Sequence, residues 1–230
     1  MQATSFFPRA GARRVALPRT QVRRIPQRQV EDVAARDAIL DEGLVCHVGL
    51  VEGGQPFVMP TGYARDGDRL LLHGSRASRL MKALAAGAPV CITVTLLDGL
   101  VLSRSAFHHS MNYRSVVVFG TGRPLPDGEG SYKALHRFTD KLTPGRWDEI
   151  RLPNEKEMAG TLVVEVALTE WSVKSRSGPP GDEPEDMAHP AWSGVVPLKL
   201  VAAPPVQDPT QAKAPAPPHV AGWRPERRKV

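Results

Sequence analysis

The residues best equipped for chemistry fall into three clusters. The first is His73-Gly74-Ser75-Arg76-Ala77-Ser78-Arg79, where a strand-like run gives way to a helix-like one. A helix start offers unpaired backbone N–H groups and the positive end of the dipole. Ser75 and Ser78 add hydroxyl donors, and Arg76 and Arg79 add charge and forked donors. Together they could cradle a phosphate. The plainer alternative is that Ser75 caps a helix and the arginines are solvated, and a motif this short does not exclude it. The second cluster is the run 103–120, in which His108, His109, Asn112, Tyr113, Arg114 and Ser115 separate two apolar stretches. Arg114 and Ser115 enter a strand that must be buried, so they need partners from a bound anion or a second subunit. His108 and His109 are a poor metal pair, because adjacent residues point apart. The third is Lys174-Ser175-Arg176 at a strand exit, able to reach an anion or simply to be solvated. Trp192, in a Pro/Gly-rich stretch, could lie over a flat ligand or cover one end of the core. Cys46 and Cys91 sit in apolar runs and read as small core residues. There is no G-x-S-x-G, H-E-x-x-H, Walker or G-x-G-x-x-G pattern, which argues against hydrolases and metalloproteases.

The elements that must position these groups are mostly strands. Residues 30–43 have helical spacing. Runs 44–51 and 55–64 flank Glu52-Gly53-Gly54, a hairpin signal, and a strand over 69–73 follows Asp66-Gly67-Asp68. Residues 75–86 read as a short helix with Leu80, Met81 and Leu84 on its apolar face. Runs 89–97 and 100–105 flank Asp98-Gly99, read as a two-residue hairpin turn. A buried strand over 113–123, a second helix over 132–142 and one long last strand over 162–174 complete the body. About seven strands, few helices and close turns predict a mainly β protein with a closed or split barrel.

Charge and proline mark the ends. The chain has 230 residues and a formal net charge of +6; residues 1–30 carry seven arginines and no acid, and residues 223–230 carry +3. The segment between them is therefore mildly acidic, at −4 (the total less the ends). That argues against a nucleic-acid surface on the body, while leaving the tails open to anionic partners. Twelve of the 22 prolines lie in residues 179–230, so the C-terminal stretch reads as an extended tail unable to pack. The expected organisation is a basic arm over 1–29, a folded domain over 30–200 and a Pro/Ala-rich basic tail over 201–230. Two cysteines, no secretory signal and no long apolar run point to a reduced, cytoplasmic protein without a membrane span.

The blocks CHVGLV, DGDRLLLHGSRASRLMKAL, PVCITVTLLDGLVLSRSAFHHSMNYRSVVVFG, PGRW and SVKSRSGPP occur in order. Over about 165 residues the chain resembles the pyridoxamine 5′-phosphate oxidase-related, FMN-binding split-barrel family, most closely its nitroimidazole-resistance-like branch. The resemblance implies a homodimer with FMN at the subunit interface. It places Val58, Met59, Pro60 and Thr61 along the isoalloxazine ring. It places His73 and Gly74 where the oxidases have a Tyr-Thr pair. The oxidases' phosphate-binding Arg-Lys falls on Arg79 and Leu80, so the lysine is missing and Ser78, with Arg76 as a further candidate, must assist, while Ser75 belongs to the same proposed cradle. Ser115, beside Arg114, falls where the oxidases' second subunit gives a Gln. Lys174 and Arg176 are the nearest counterparts of a C-terminal Trp and Arg that have no clean match, which puts pyridoxamine phosphate oxidation itself in doubt. The expected activity is FMN-dependent electron transfer from a donor such as NAD(P)H to a small nitro- or quinone-type acceptor, with His73 beside the ring as the candidate catalytic residue. The alternatives are a flavin binder or sensor without turnover, and tail-driven binding to nucleic acid.

Overall fold

The computed structural model describes residues 18–212 and 214–224. The basic arm before Pro18 and the last cations, Arg227, Arg228 and Lys229, lie outside the described residues. Strand β1 (Gln29–Val30) leads into helix α1 (Val33–Glu42), which Asp32 caps by accepting hydrogen bonds from the N–H groups of Ala34 and Ala35. The hairpin β2 (Val45–Glu52) and β3 (Gln55–Gly62) turns through Gly53 and Gly54, both at positive φ. Strands β4 (Ala64–Asp66) and β5 (Arg69–Ser75) precede the short helix α2 (Arg79–Ala85). Two long strands follow, β6 (Pro89–Leu102) and β7 (Ser110–Thr121), then β8 (Arg123–Pro124) and helix α3 (Glu129–Leu142). Helix α4 (Glu155–Gly160), β9 (Thr161–Ala167), β10 (Glu170–Arg176), β11 (Gly194–Pro197) and a final turn of helix, α5 (Pro218–Ala221), complete the chain.

The strands form two antiparallel sheets. The larger runs β1-β10-β7-β6-β2-β3, with β11 also on β6; the smaller runs β4-β5-β9-β8. The core lies between them, with Trp171, Leu40, Val48, Leu70, Leu72, Val116 and Val164 fully buried. This is the mainly β split barrel expected from the pattern of strands and turns.

Two elements differ from the sequence reading. Asp98-Gly99 is not a hairpin turn: β6 runs straight through it with a bulge between Leu97 and Gly99. Gly99 does not take the left-handed conformation that such a turn needs. Instead β11 lies so close that a Cβ on Gly99 would meet Val195 Cγ1 at 3.0 Å and the Val196 carbonyl oxygen at 3.1 Å. The long last strand is in fact two strands in different sheets. The chain turns at Leu168-Thr169, where the Leu168 N–H donates to the Asp68 carbonyl at 2.8 Å. The fully buried Arg36 braces the same corner, donating to the Leu168 carbonyl at 3.1 Å and to Asp68 at 3.0 Å, with its guanidinium over Trp171.

Buried Glu165 fixes α3 over the smaller sheet's outer face. Its carboxylate accepts from Arg69 at 2.6 Å and from Arg123, and Arg69 also pairs with Asp66, which Arg137 of α3 approaches at 3.5 Å. Ala134 and Phe138 then pack on Leu71 and Val163. Among the described residues the larger sheet's outer face has no such cover. Register puts Pro60, His47, Thr93, Val117 and Ser172 in one row across it. Val45, Val51, Val58, Leu100, Met111 and Val196 stand exposed on that sheet.

Candidate functional site

The split between the sheets brings the first cluster together. Strand β3 is the free edge of the larger sheet, and it approaches β5 of the smaller one. Alternation turns Val58 and Pro60 outward and Met59 and Thr61 toward the interior. Across the gap β5 ends in His73, Gly74 and Ser75, but the His73 side chain turns with Leu71 to the sheet's outer face under α3, away from the split where it was expected beside the ring. Gly74 allows α2 to pack close, since a Cβ there would meet Met81 Cγ at 3.1 Å.

Helix α2 begins at Arg79, four residues later than the sequence predicts, because Ser78 and not Ser75 is its cap. Ser78 Oγ accepts from the Met81 N–H at 3.1 Å, and Ser75 Oγ accepts from the Ala77 N–H at 3.2 Å. Both hydroxyl protons remain available to an anion. Arg79 spans the split: its guanidinium lies 4.4 Å from the centre of the Phe57 ring on β3, and Nε is 3.3 Å from Glu52. That pair is solvent-exposed, so an anionic ligand could displace it at small cost. Arg76 is tied down elsewhere, donating to Asp127 and to the Ala159 carbonyl.

His73 packs against Phe138 of α3, ring centroids 4.1 Å apart. Burial of one ring face lowers its pKa below the ordinary 6.5, so the imidazole is neutral at pH 7 while part of the residue stays at the surface.

The second and third clusters lie elsewhere. Ser115 is three strands from β3 along the sheet and Lys174 four, or about 14 and 19 Å at ordinary strand spacing. They face each other on the uncovered outer face. The expectation that Arg114 needs an outside partner is corrected: its guanidinium meets Glu42 at 2.6 and 2.9 Å and Asp98 at 2.7 and 2.9 Å. Those hydrogen bonds, from Asp98 first and then Glu42, raise its pKa and fix its charge inside the chain. Arg176 donates to Asn112 and to the carbonyls of Gly178 and Pro179, while Lys174 Nζ donates to the Arg24 carbonyl at 3.2 Å. His109 bonds within its own loop, and Asp182 accepts from Arg104, so this polar run pins residues 178–187 to the β6–β7 connection. Trp192 is 66% exposed, its ring lying against Gly194. Cys46 is core, its thiol pushed up to about 12 by burial, but Cys91 is half-buried and faces outward, opposite Gly49 and Phe119. Phe57, which meets Arg79 at the split, escaped sequence reasoning; Phe138, which covers His73, lies with Leu71 on the smaller sheet's outer face, and only the helical spacing of α3 marked it as inward-facing on that helix.

The tail is anchored through residues 219–223. Trp223 Nε1 donates to the Leu142 carbonyl at 2.7 Å and His219 lies 3.3 Å from Glu149, so residues 219–223 dock at the end of α3, contrary to an unpacked tail. Among the described residues no helix is long and apolar enough to cross a membrane.

Fold and site together define a split-barrel protein in which Arg79 and Phe57 meet where its two sheets approach. The chain belongs to the pyridoxamine 5′-phosphate oxidase family, whose model matches residues 32–175. Among solved structures it is similar to the flavocytochrome Anf3 from Azotobacter vinelandii, with 39% identity over 94% of this chain and 99% of that one and a TM-score of 0.85. It is also similar to the FAD and heme binding protein from Mycobacterium smegmatis, with 40% identity over 85% of this chain and 96% of that one and a TM-score of 0.82. A protein described as a 5-nitroimidazole antibiotic resistance protein, from Bacteroides thetaiotaomicron, shares the fold at 23% identity over 64% of this chain and 85% of that one, with a TM-score of 0.53. No curated protein matches the chain.

Proposed function

We propose that the protein is a flavocytochrome-type redox protein, a homodimer that binds a flavin at the split and a haem close by. The observation that carries this reading is the extent of the similarity. The family model stops at residue 175, whereas the match to the flavocytochrome covers 94% of the chain and so takes in most of the flanking segments. The flavin would lie along Val58–Thr61, with Gly74, Ser75, Ser78 and Arg79 around its phosphate. The missing lysine at Leu80 supports FAD over FMN. A terminal phosphate dianion calls for two fixed cations, whereas one arginine suits a pyrophosphate carrying its charge over two groups. Ser115 and Lys174 would serve the partner's flavin, because in their own chain they are too far from β3. The uncovered apolar sheet face supports the dimer. Bound flavin supplies hydride and single-electron chemistry; the chain supplies position, charge and access. NAD(P)H as donor and a small nitro or quinone acceptor remain part of the proposal.

The test is the visible spectrum of the purified protein with chromatography of the released flavin. Flavin bands, a Soret band and released FAD are expected; released FMN would reassign the nucleotide. A colourless protein that takes up neither added flavin nor added haemin would overturn the reading. Anaerobic bleaching of the flavin by NADH or NADPH tests the donor.

A further inference from the structure

We propose that Arg28, Lys174 and Arg176 form a binding site for the phosphate group of a nucleotide, on the outer face of the larger sheet where β1 meets β10. The first observation is charge without a counter-ion. Each of the eleven arginines from Arg36 to Arg151 has a carboxylate oxygen within 3.5 Å. Arg28, Lys174 and Arg176 have none among the described residues, although all three are half-buried. The acids next along these strands are engaged: Glu31 accepts from Gln29 at 2.9 Å, and Glu170 pairs with Arg19. Uncharged groups hold Arg176 instead. It donates to Asn112 and to the carbonyls of Gly178 and Pro179, which fixes the guanidinium without neutralising it. Lys174 Nζ donates to the Arg24 carbonyl at 3.2 Å.

The second observation is the crowding of like charge. The turn Pro26–Arg28 brings Arg28 to Arg176, and β1 pairs Gln29 with Lys174. Burial first, and then the Arg28 charge, hold the Arg176 pKa below the usual guanidinium value, so the two cations repel each other in the chain alone. An anion held by both would turn that repulsion into attraction. Two guanidinium forks and an ammonium match a phosphate dianion in charge and in acceptor geometry. The floor beside them is apolar. Arg176, Tyr113 and Leu97 share one row across the outer face, with Met111 in the next, and Leu97 and Met111 are 45% and 51% exposed. Fixed charge beside an aromatic and apolar floor suits a nucleotide better than free phosphate. The choice of nucleotide rests on the flavoprotein reading, because Lys174 and Ser115 stand one row from Arg176, about 7 Å away, where the partner's flavin is set. The phosphate then belongs to a phosphorylated nicotinamide donor or to that flavin nucleotide, and a match to a dianion favours the donor.

The experiment titrates the full-length protein as purified with NADPH and NADH by calorimetry, and measures in parallel the affinities of the flavin nucleotide and of riboflavin. Wild type, Arg28→Gln and Lys156→Gln are compared; Lys156 is an exposed cation on α4 with no part in the patch. Wild type is expected to bind NADPH at least about tenfold more tightly than NADH, which lacks the 2′-phosphate, and Arg28→Gln to lose that preference with its NADH affinity unchanged. A loss of flavin-nucleotide affinity in Arg28→Gln, with riboflavin binding unchanged, would give the phosphate to the partner's flavin and uphold the site. Relief of the like-charge contact should leave ligand-free Arg28→Gln melting no lower than wild type, which separates this role from a structural one. The site is overturned if Arg28→Gln keeps wild-type affinity for NADPH and the flavin nucleotide alike, or if Lys156→Gln weakens them as much. It is also overturned if Arg28→Gln weakens all four ligands together with a lower melting midpoint. A protein that takes up no flavin would sink the flavoprotein reading, and the NADPH and NADH titrations would still decide the site.

Discussion

At the scale of single residues, Arg79 is the cation with freedom to bind a ligand at the split. Its present partners are a ring and an exposed carboxylate, whereas Arg76 is held by Asp127 and a backbone carbonyl. A charge-assisted hydrogen bond to phosphate contributes about 1.5–3 kcal/mol. Arg79→Ala should therefore raise the flavin-nucleotide dissociation constant roughly 10- to 150-fold, and Arg76→Ala should do much less. Riboflavin, which has no phosphate, should bind Arg79→Ala and wild type alike; calorimetry with both ligands checks this, and equal losses would make Arg79 structural. His73 gives a pH prediction for the cofactor-free protein. Its folded pKa is depressed below 6.5, so on acidification the unfolded chain takes up the proton first. The neutral ring's contribution is intact above pH 6.5 and is lost as pH falls toward the folded value. Denaturation midpoints at pH 7.5 and 5.5 should show a smaller drop for His73→Gln than for wild type. The polar cluster itself was legible in the sequence, because Ser, Arg and Gly at a strand end are unusual there. What each residue touches was not. Arg114 and Arg79 look alike in sequence, and only the tertiary approach of Glu42 and Asp98 neutralises one and leaves the other facing the split.

At the scale of elements, turn chemistry was read correctly where glycine takes a positive φ, as at Gly53-Gly54, and wrongly at Asp98-Gly99, where a neighbouring strand imposed the glycine. The same steric demand appears at Gly122, between β7 and β8, and no local pattern marks it. A Cβ there would sit 2.4 Å from the Leu84 carbonyl oxygen and 2.8 Å from Val164 Cγ1. Backbone at the end of α2 cannot rotate away as a side-chain tip could. Gly122→Ala should destabilise by about 1–3 kcal/mol or more through overpacking. Gly62→Ala, with nothing within 4 Å, should stay within about 0.5 kcal/mol of wild type. Urea unfolding of both variants tests the contrast, and a wild-type midpoint for Gly122→Ala would show that α2 can shift. The single long strand over 162–174 divided for a similar reason. Its alternation is continuous across Leu168, and only the long-range anchors Asp68 and Arg36 make it change sheets.

At the scale of the whole molecule, the strand count and spacing made the barrel legible, but strand order, and with it the uncovered face, comes from pairings between residues far apart in sequence. That face carries the last prediction. Ser115 and Lys174 pair across β7 and β10, on the side opposite the core and far from the β3 edge. They can serve a flavin only if a second copy brings them to it. Val117 lies at the centre of the row formed by Pro60, His47, Thr93 and Ser172, half-buried in the single chain. An arginine there would place an unpaired charge in the middle of an interface and repel its symmetry mate, a cost of several kcal/mol. Because the side chain points away from the core, the fold itself should persist. Val117→Arg should therefore run as a monomer by light scattering with wild-type circular dichroism, and its flavin affinity should fall with the loss of the second subunit's groups. Dilution of wild type should release flavin in parallel with dissociation. A Val117→Arg monomer that binds flavin as tightly as wild type would mean that each chain completes its own site, and Ser115 and Lys174 would then have no part in it.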